Sequence, residues 1–364
     1  MRIGIHCFED VEICSMIASL NVIGTCEFTG EENCVVYDTE NTVEGDNLAT
    51  YFSEILDVYS PVSLLPRDFP SDNLDVIENI IHKDWSIFSS KISPIQIRQA
   101  LQEICKDSYS KDAKIYQEKV GLEKLCDSDF LRRNCLTKES TWAKFTASIK
   151  GINRFHSNHI NLELLQELFK SPNMQQTIEK GAKDFFRGRI SDENILGIED
   201  MGPPPPDRVT AGRANSQGIR CLYLASDYMT TVHEIRARDL DFITVGQFQT
   251  VQKLKIVDLA HIDKISPFSQ GEFDAEWFAV NMPILKKIGK EIAKPLRRQD
   301  SELDYLPSQY IADYVKSLGY DGICYKSTLH SNGLNYAIFD PKKLKCIDVK
   351  LIKVDNLKYD ITEV

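Results

Sequence analysis

Residues 184–190 read DFFRGRI and residues 211–234 read AGRANSQGIRCLYLASDYMTTVHE. In the first stretch Phe186 and Ile190 interleave with Arg187 and Arg189, a period of two that predicts a strand with both arginines on one face. In the second, CLYLA (221–225) has the length and composition of a short strand. Ser226 or Asp227 then stands where a helix N-cap is wanted, and Glu234 follows about two turns later. Ahead of that strand, Gly212 and Gly218 flank a loop carrying Arg213, and glycines let backbone approach a ligand closely. Strand, loop, strand and helix therefore gather three arginines, Tyr223 and Glu234. No zinc, phosphate-loop or Gly-x-Gly-x-x-Gly pattern accounts for the set.

Reading outward, residues after 181 continue as short strands: DFITVGQFQT (241–250), LKIVDL (254–259), GICYKS (322–327), NYAIF (335–339) and LKCIDV (344–349). Helices are predicted at about 227–237, 275–292 and 306–318, the last closing on a glycine at a C-terminal cap position. The strands are not regularly separated by helices, so the pattern predicts an α+β fold, not a doubly wound sheet. Residues 46–180 carry apolar residues three and four apart in YFSEILDVY, PIQIRQALQEIC, TWAKFTASIKGINRF and NLELLQELF, which predicts a helical accessory region.

A chain of 364 residues, 42% apolar, supports two or three globular units. It has no run of about 18 apolar residues, which argues against a membrane span. The start MRIGIHCFEDVE lacks the features of a signal peptide, which predicts a cytoplasmic address. Ten cysteines spread from Cys7 to Cys346 read as free thiols. The first 50 residues hold one Arg and ten Asp/Glu, so -9 of the net charge of -11 lies there. That balance argues against nucleic acid as a partner, and KKIGKEIAKPLRR (286–298) reads as a solvated helix face.

The N-terminal 45 residues contain Cys7, Cys14, Cys26 and Cys34. A structural zinc site wants Cys-x-x-Cys pairs, but Gly4 stands three before Cys7 and Thr29 three after Cys26. His6 and Cys34 are the substitutes left. The expectation is no metal, with structural zinc replaced by a core of Phe8, Ile13, Ile17, Leu20 and Val35.

Each residue around the arginine loop also has a plain reading: a solvated arginine face, a core tyrosine, a surface glutamate followed by Arg236. The chemical reading is an anionic ligand, since guanidinium forks suit phosphates. Breaking a ribose–nicotinamide bond makes an oxocarbenium-like centre, which a carboxylate stabilises while an aromatic ring packs on the sugar or base.

Residues 184–340 resemble the RES domain family through five ordered blocks: FFRGRI, AGRANSQGI, LYLASDYMTTVHE, GYDGICYKST and NYAIFD. The resemblance implies an ADP-ribosyltransferase-like fold that takes NAD+ as substrate without a further cofactor. It implies cleavage by hydrolysis or phosphorolysis, and a toxin paired with a protein antitoxin. It makes Arg187, Tyr223, Glu234 and Ser327 the catalytic set, and Arg187, Arg189, Arg213, Asn215, Tyr223 and Asn335 the NAD+-binding set. Two alternatives stay open: transfer of ADP-ribose to a macromolecule, and an inactive NAD-sensing or protein-binding module. The front of the chain is similar to the N-terminal domain of longer RES proteins, with HCFEDVE and TCEFTG each lacking one cysteine of a pair. The expected organisation is a degenerate zinc-finger-like module (1–45), a helical region (46–180) and a RES domain (181–364) with an insertion at about 261–305.

Overall fold

A computed structural model describes residues 1–41, 47–138, 140–269, 273–294 and 301–357. The chain divides into two compact units, Met1–Ser140 with Asp263–Leu285, and Thr141–Ile262 with Lys286–Val364. The expected insertion at 261–305 is split between them, and its residues 270–272 and 295–300 lie outside the described residues.

In the first unit, β1 (Arg2–Gly4), β2 (Ile23–Gly24) and β3 (Cys34–Asp38) form an antiparallel sheet in the order β1-β3-β2. Helix α1 (Val11–Leu20) starts on Asp10, whose carboxylate accepts the Glu12 and Ile13 amides, and ends on Asn21 in the left-handed region (φ 54°). Phe8, Ile13 and Ile17 are buried as expected, but Leu20 and Val35 are only half-buried and Ile3 and Val36 complete the core. In β3 the run Val36, Tyr37 and Asp38 is buried, whereas Val35 is only half-buried. Helices α2 (Leu48–Asp57), α3 (Ile77–Asp84), α4 (Pro94–Ile104), α5 (Lys114–Gln117) and α6 (Ser128–Asn134) follow, with a small β4 (Ser60–Pro61) and β5 (Val120–Gly121) pair. All ten cysteines are free thiols.

The second unit opens with α7 (Trp142–Gly151), capped by the Thr141 hydroxyl, and α8 (Leu162–Lys170), capped by Asn161. The region taken as helical to residue 180 ends earlier: Gln175–Ile178 is a strand, β6, because Leu254–Val257 offers it an antiparallel edge. Then come β7 (Asp184–Ser191), β8 (Leu222–Ala225), α9 (Tyr228–Glu234), β9 (Phe242–Thr250), β10 (Leu254–Asp258) and α10 (Ala275–Ala293), within which the division between units falls. Helix α11 (Leu306–Ser317) and strands β11 (Gly322–Lys326), β12 (Leu334–Ile338) and β13 (Leu344–Lys353) complete the unit. Gly319, just past α11, has φ 85°, the left-handed conformation a helix end favours.

Eight strands form one sheet in the order β13-β9-β7-β8-β12-β11-β10-β6, antiparallel except for β10 with β11. Period-two alternation sorts its faces. Phe185, Leu222, Leu224, Phe248, Cys324 and Tyr336 share one buried core cluster. Their neighbours Tyr223, Tyr325 and Asn335 face the other way and line a cleft. Among the described residues no helix is long and apolar enough to cross a membrane.

Candidate active site

Strands β7 and β8 are joined by a single residue pair, Phe186 with Ala225. Near this weak seam opens a cleft of about 460 Å³, lined among others by Arg187, Arg213, Tyr223, Glu234, Tyr325 and Asn335.

Glu234 ends the short helix α9, whose N-cap Asp227 accepts the Thr230 amide at 2.8 Å. The helix is pinned to β7 where the Thr231 hydroxyl donates to the Phe186 carbonyl at 3.1 Å. Glu234 Oε1 accepts from the Ser327 hydroxyl and from Asn335 Nδ2, both at 2.7 Å. Ser327 Oγ in turn accepts the Leu329 and His330 amides at 3.2 Å. One oxygen of the carboxylate is thereby fixed by two partners that lie 93 and 101 residues away in sequence.

The cationic wall is formed by Arg187 and Arg213. Arg187 donates to the Tyr223 carbonyl at 3.0 Å, and its Nε is buried without a partner among the described residues. Burial, with Arg189 nearby, lowers its pKa to about 10, a depression that a bound anion would reverse. Arg213 is buried; its Cζ lies 5.5 Å from the centre of the Tyr325 ring, and its Nη1 has no partner among the described residues. A half-buried and a buried guanidinium group, each with an unused donor, suit a phosphate-bearing ligand.

Tyr223 has a structural task at this wall. Its hydroxyl donates to Asn215 Oδ1 at 2.6 Å and accepts the Ala214 amide at 2.9 Å, which clips the 212–215 turn onto the sheet. Burial raises its pKa well above the ordinary value, so it stays a neutral hydrogen-bonding group. Gly212 is required by closeness: a Cβ there would lie 2.6 Å from both Asn215 Oδ1 and Tyr223 Oη.

Arg187, Arg213, Tyr223, Glu234 and Asn335 all line this one cleft. Ser327 reaches the site through Glu234, and Asn215 through Tyr223. Arg189 differs: its guanidinium donates to the Gly202 carbonyl at 2.6 Å, bracing the loop after β7, and it is not part of the cleft lining. Sequence reading missed Ser308 and Gln309. Both are buried on α11; the Ser308 hydroxyl donates to the Arg213 carbonyl at 2.9 Å, and Gln309 Nε2 to the Gly212 and Asn215 carbonyls at 2.8 and 2.9 Å. A signal was present. Ser308 occupies the first place of an i, i+3, i+4, i+7 stripe whose other members, Ile311, Ala312 and Val315, are apolar and buried.

A mixed sheet-and-helix domain with an arginine-walled cleft and an anchored carboxylate is the class of protein that fold and site define. Residues 192–361 match the family model described as RES domain, so the chain carries a RES domain. Arg213, Asn215, Tyr223, Glu234, Ser327 and Asn335 lie within the matched span, whereas Arg187 and Arg189 lie just ahead of it. No curated protein matches the chain. Among solved structures it is similar to one from the M. tuberculosis MbcT-MbcA toxin-antitoxin complex, at 13% identity over 49% of this chain and 86% of that chain. The TM-score is 0.27, and a likeness of that size carries no argument about activity.

Proposed function

We propose that this chain consumes NAD+ by cleaving the bond between nicotinamide and ribose. The observation that carries the reading is the anchored Glu234 carboxylate in a cleft walled by the unused donors of Arg187 and Arg213. In this scheme the two arginines bind the pyrophosphate, and the aromatic wall of Tyr223 and Tyr325 packs beside the ribose–nicotinamide unit. The free oxygen of Glu234 takes the ribose hydroxyl and faces the positive charge that develops at the sugar's anomeric carbon. Nicotinamide leaves with the bonding electron pair, and water or phosphate attacks the anomeric carbon.

Unrestrained loss of a central cofactor is lethal, so the chain acts as a toxin held in check by a protein antitoxin. Purified protein with NAD+ should release nicotinamide, and chromatography of the other product separates ADP-ribose from its 1″-phosphate. Expression of the intact chain alone should arrest growth and deplete cellular NAD+. Absence of nicotinamide release, with or without phosphate, sinks the enzymatic reading; release in vitro with unchanged growth sinks only the toxin reading.

A further inference from the structure

The first unit brings together three metal-ligating side chains that cysteine spacing does not pair. His6, Cys7 and Cys26 offer ligand atoms that all lie within 4.8 Å of one another. Cys7 closes the turn after β1, Cys26 lies just past β2, and both are fully buried. Their Sγ atoms stand 3.6 Å apart. A disulfide would need about 2.05 Å. Two thiolates each about 2.3 Å from a tetrahedral zinc stand about 3.7 Å apart, close to what is found.

The positions that break the two Cys-x-x-Cys pairs explain the geometry. A Cβ at Gly4 would lie 2.4 Å from His6 Cε1 and 3.0 Å from Cys26 Cβ. The imidazole thus fills the space that a side chain at residue 4 would take. At the other broken position, Thr29 Oγ1 sits 2.8 Å from His6 Nε2, while the Glu31 carboxylate lies 3.4 Å from Nδ1. Metal binding through Nδ1 would displace the longer Glu31 contact, while the Thr29 hydroxyl keeps Nε2 and the ring oriented from outside, as metal-binding histidines require.

We propose that His6, Cys7 and Cys26 form a three-ligand zinc site in which His6 takes the place of the absent cysteines. The fourth position falls to water. Cys34 is excluded as a ligand, because its thiol faces the Glu31 and Gly24 carbonyls at 3.3 and 3.6 Å. Two thiolates and an imidazole suit zinc over magnesium or calcium. With three protein ligands the metal exchanges more readily than in a closed four-ligand site.

Cobalt(II) titration of the metal-stripped full chain tests this. One Co2+ per chain should bind with the visible bands and thiolate charge-transfer absorption of a tetrahedral site, be displaced by zinc, and be removed by EDTA. Cys7→Ser should abolish the thiolate spectrum, and Cys34→Ser should leave it unchanged. His6→Gln keeps both thiols and should weaken Co2+ binding at least about tenfold. Gly4→Ala, which displaces the imidazole, should do the same. A wild-type chain without a stoichiometric tetrahedral spectrum overturns the site. Undiminished affinity in His6→Gln overturns the histidine's role, and neither result depends on whether Cys7→Ser folds.

Discussion

Glu234→Gln isolates charge from geometry. Glutamine keeps the volume, and its amide oxygen at the Oε1 position preserves both 2.7 Å hydrogen bonds, from Ser327 and Asn335. What disappears is one negative charge facing the cleft. Losing one preorganised electrostatic group costs a transition state about 3–4 kcal/mol, which slows turnover on the order of 10²–10³-fold. NAD+ affinity should change little, because Arg187 and Arg213 are untouched. Asn335→Ala makes the complementary change: it keeps the charge and removes one donor to it, worth about 1.5–3 kcal/mol for a charged acceptor, or roughly ten- to a hundredfold. Steady-state nicotinamide release and calorimetric NAD+ affinity, measured on both variants, separate the two effects. Near wild-type turnover in Glu234→Gln, or a loss of binding as large as the loss of rate, would refute the assignment.

Three other outcomes follow from the same geometry. Arg187→Lys should impair turnover and affinity together, since lysine keeps the charge but loses the planar fork; Arg189→Lys should be milder, because Arg189 braces the Gly202 carbonyl and does not line the cleft. Tyr223→Phe should lower the melting temperature and weaken NAD+ binding, as it strands the Ala214 amide and Asn215 Oδ1 at a cost of about 1–3 kcal/mol each. His330→Ala removes the 2.8 Å contact of its Nδ1 with Thr230 but keeps the backbone amide on Ser327, so it should reduce turnover less than Asn335→Ala and leave affinity unchanged.

Every strand of the large sheet except β6 was legible because its residues alternate and turn residues bound it, whereas β6 lay inside the region read as helical. The order of the strands was not legible: β7 lies between β8 and β9, and β6 pairs with β10, through contacts that no local pattern encodes. The candidate site divides in the same way. Arg187, Tyr223 and Glu234 could be named from one strand–loop–strand–helix stretch. That Ser327 and Asn335 would both meet the same oxygen of Glu234 depends on β11 and β12 being antiparallel neighbours, with Asn335 opposite Tyr325. Arg189 misled because the alternation of an isolated strand ignores the bracing loop that follows it. His6 could be named only alongside Cys34 for a related reason: ligand spacing counts residues along the chain, whereas the closeness of the His6 ring to Gly4 and Cys26 comes from the fold.

The bond between Ser327 and Glu234 permits two chemistries, and the surroundings separate them. A serine that donates to a carboxylate resembles a nucleophile with its base. Here, however, Ser327 Oγ also accepts two backbone amides at 3.2 Å, which draw electron density from the oxygen that would have to attack. Ser327 is buried and not part of the cleft lining, whereas Glu234 is. Glu234 also holds the Asn335 amide on the same oxygen, so the serine is one of two clamps and not a dedicated partner. Under the proposed reaction, this geometry makes Ser327 a positioning residue for Glu234. Ser327→Ala should lower turnover roughly ten- to a hundredfold, the worth of one hydrogen bond to a charged group, while NAD+ affinity stays near wild type. Ser327→Thr, which retains the hydroxyl, should recover part of the loss. Mass spectrometry of enzyme quenched during turnover should find no adduct at Ser327. An ADP-ribosyl group trapped there, or complete loss of activity in Ser327→Ala with a fold unchanged by circular dichroism, would make the serine a nucleophile and Glu234 its base.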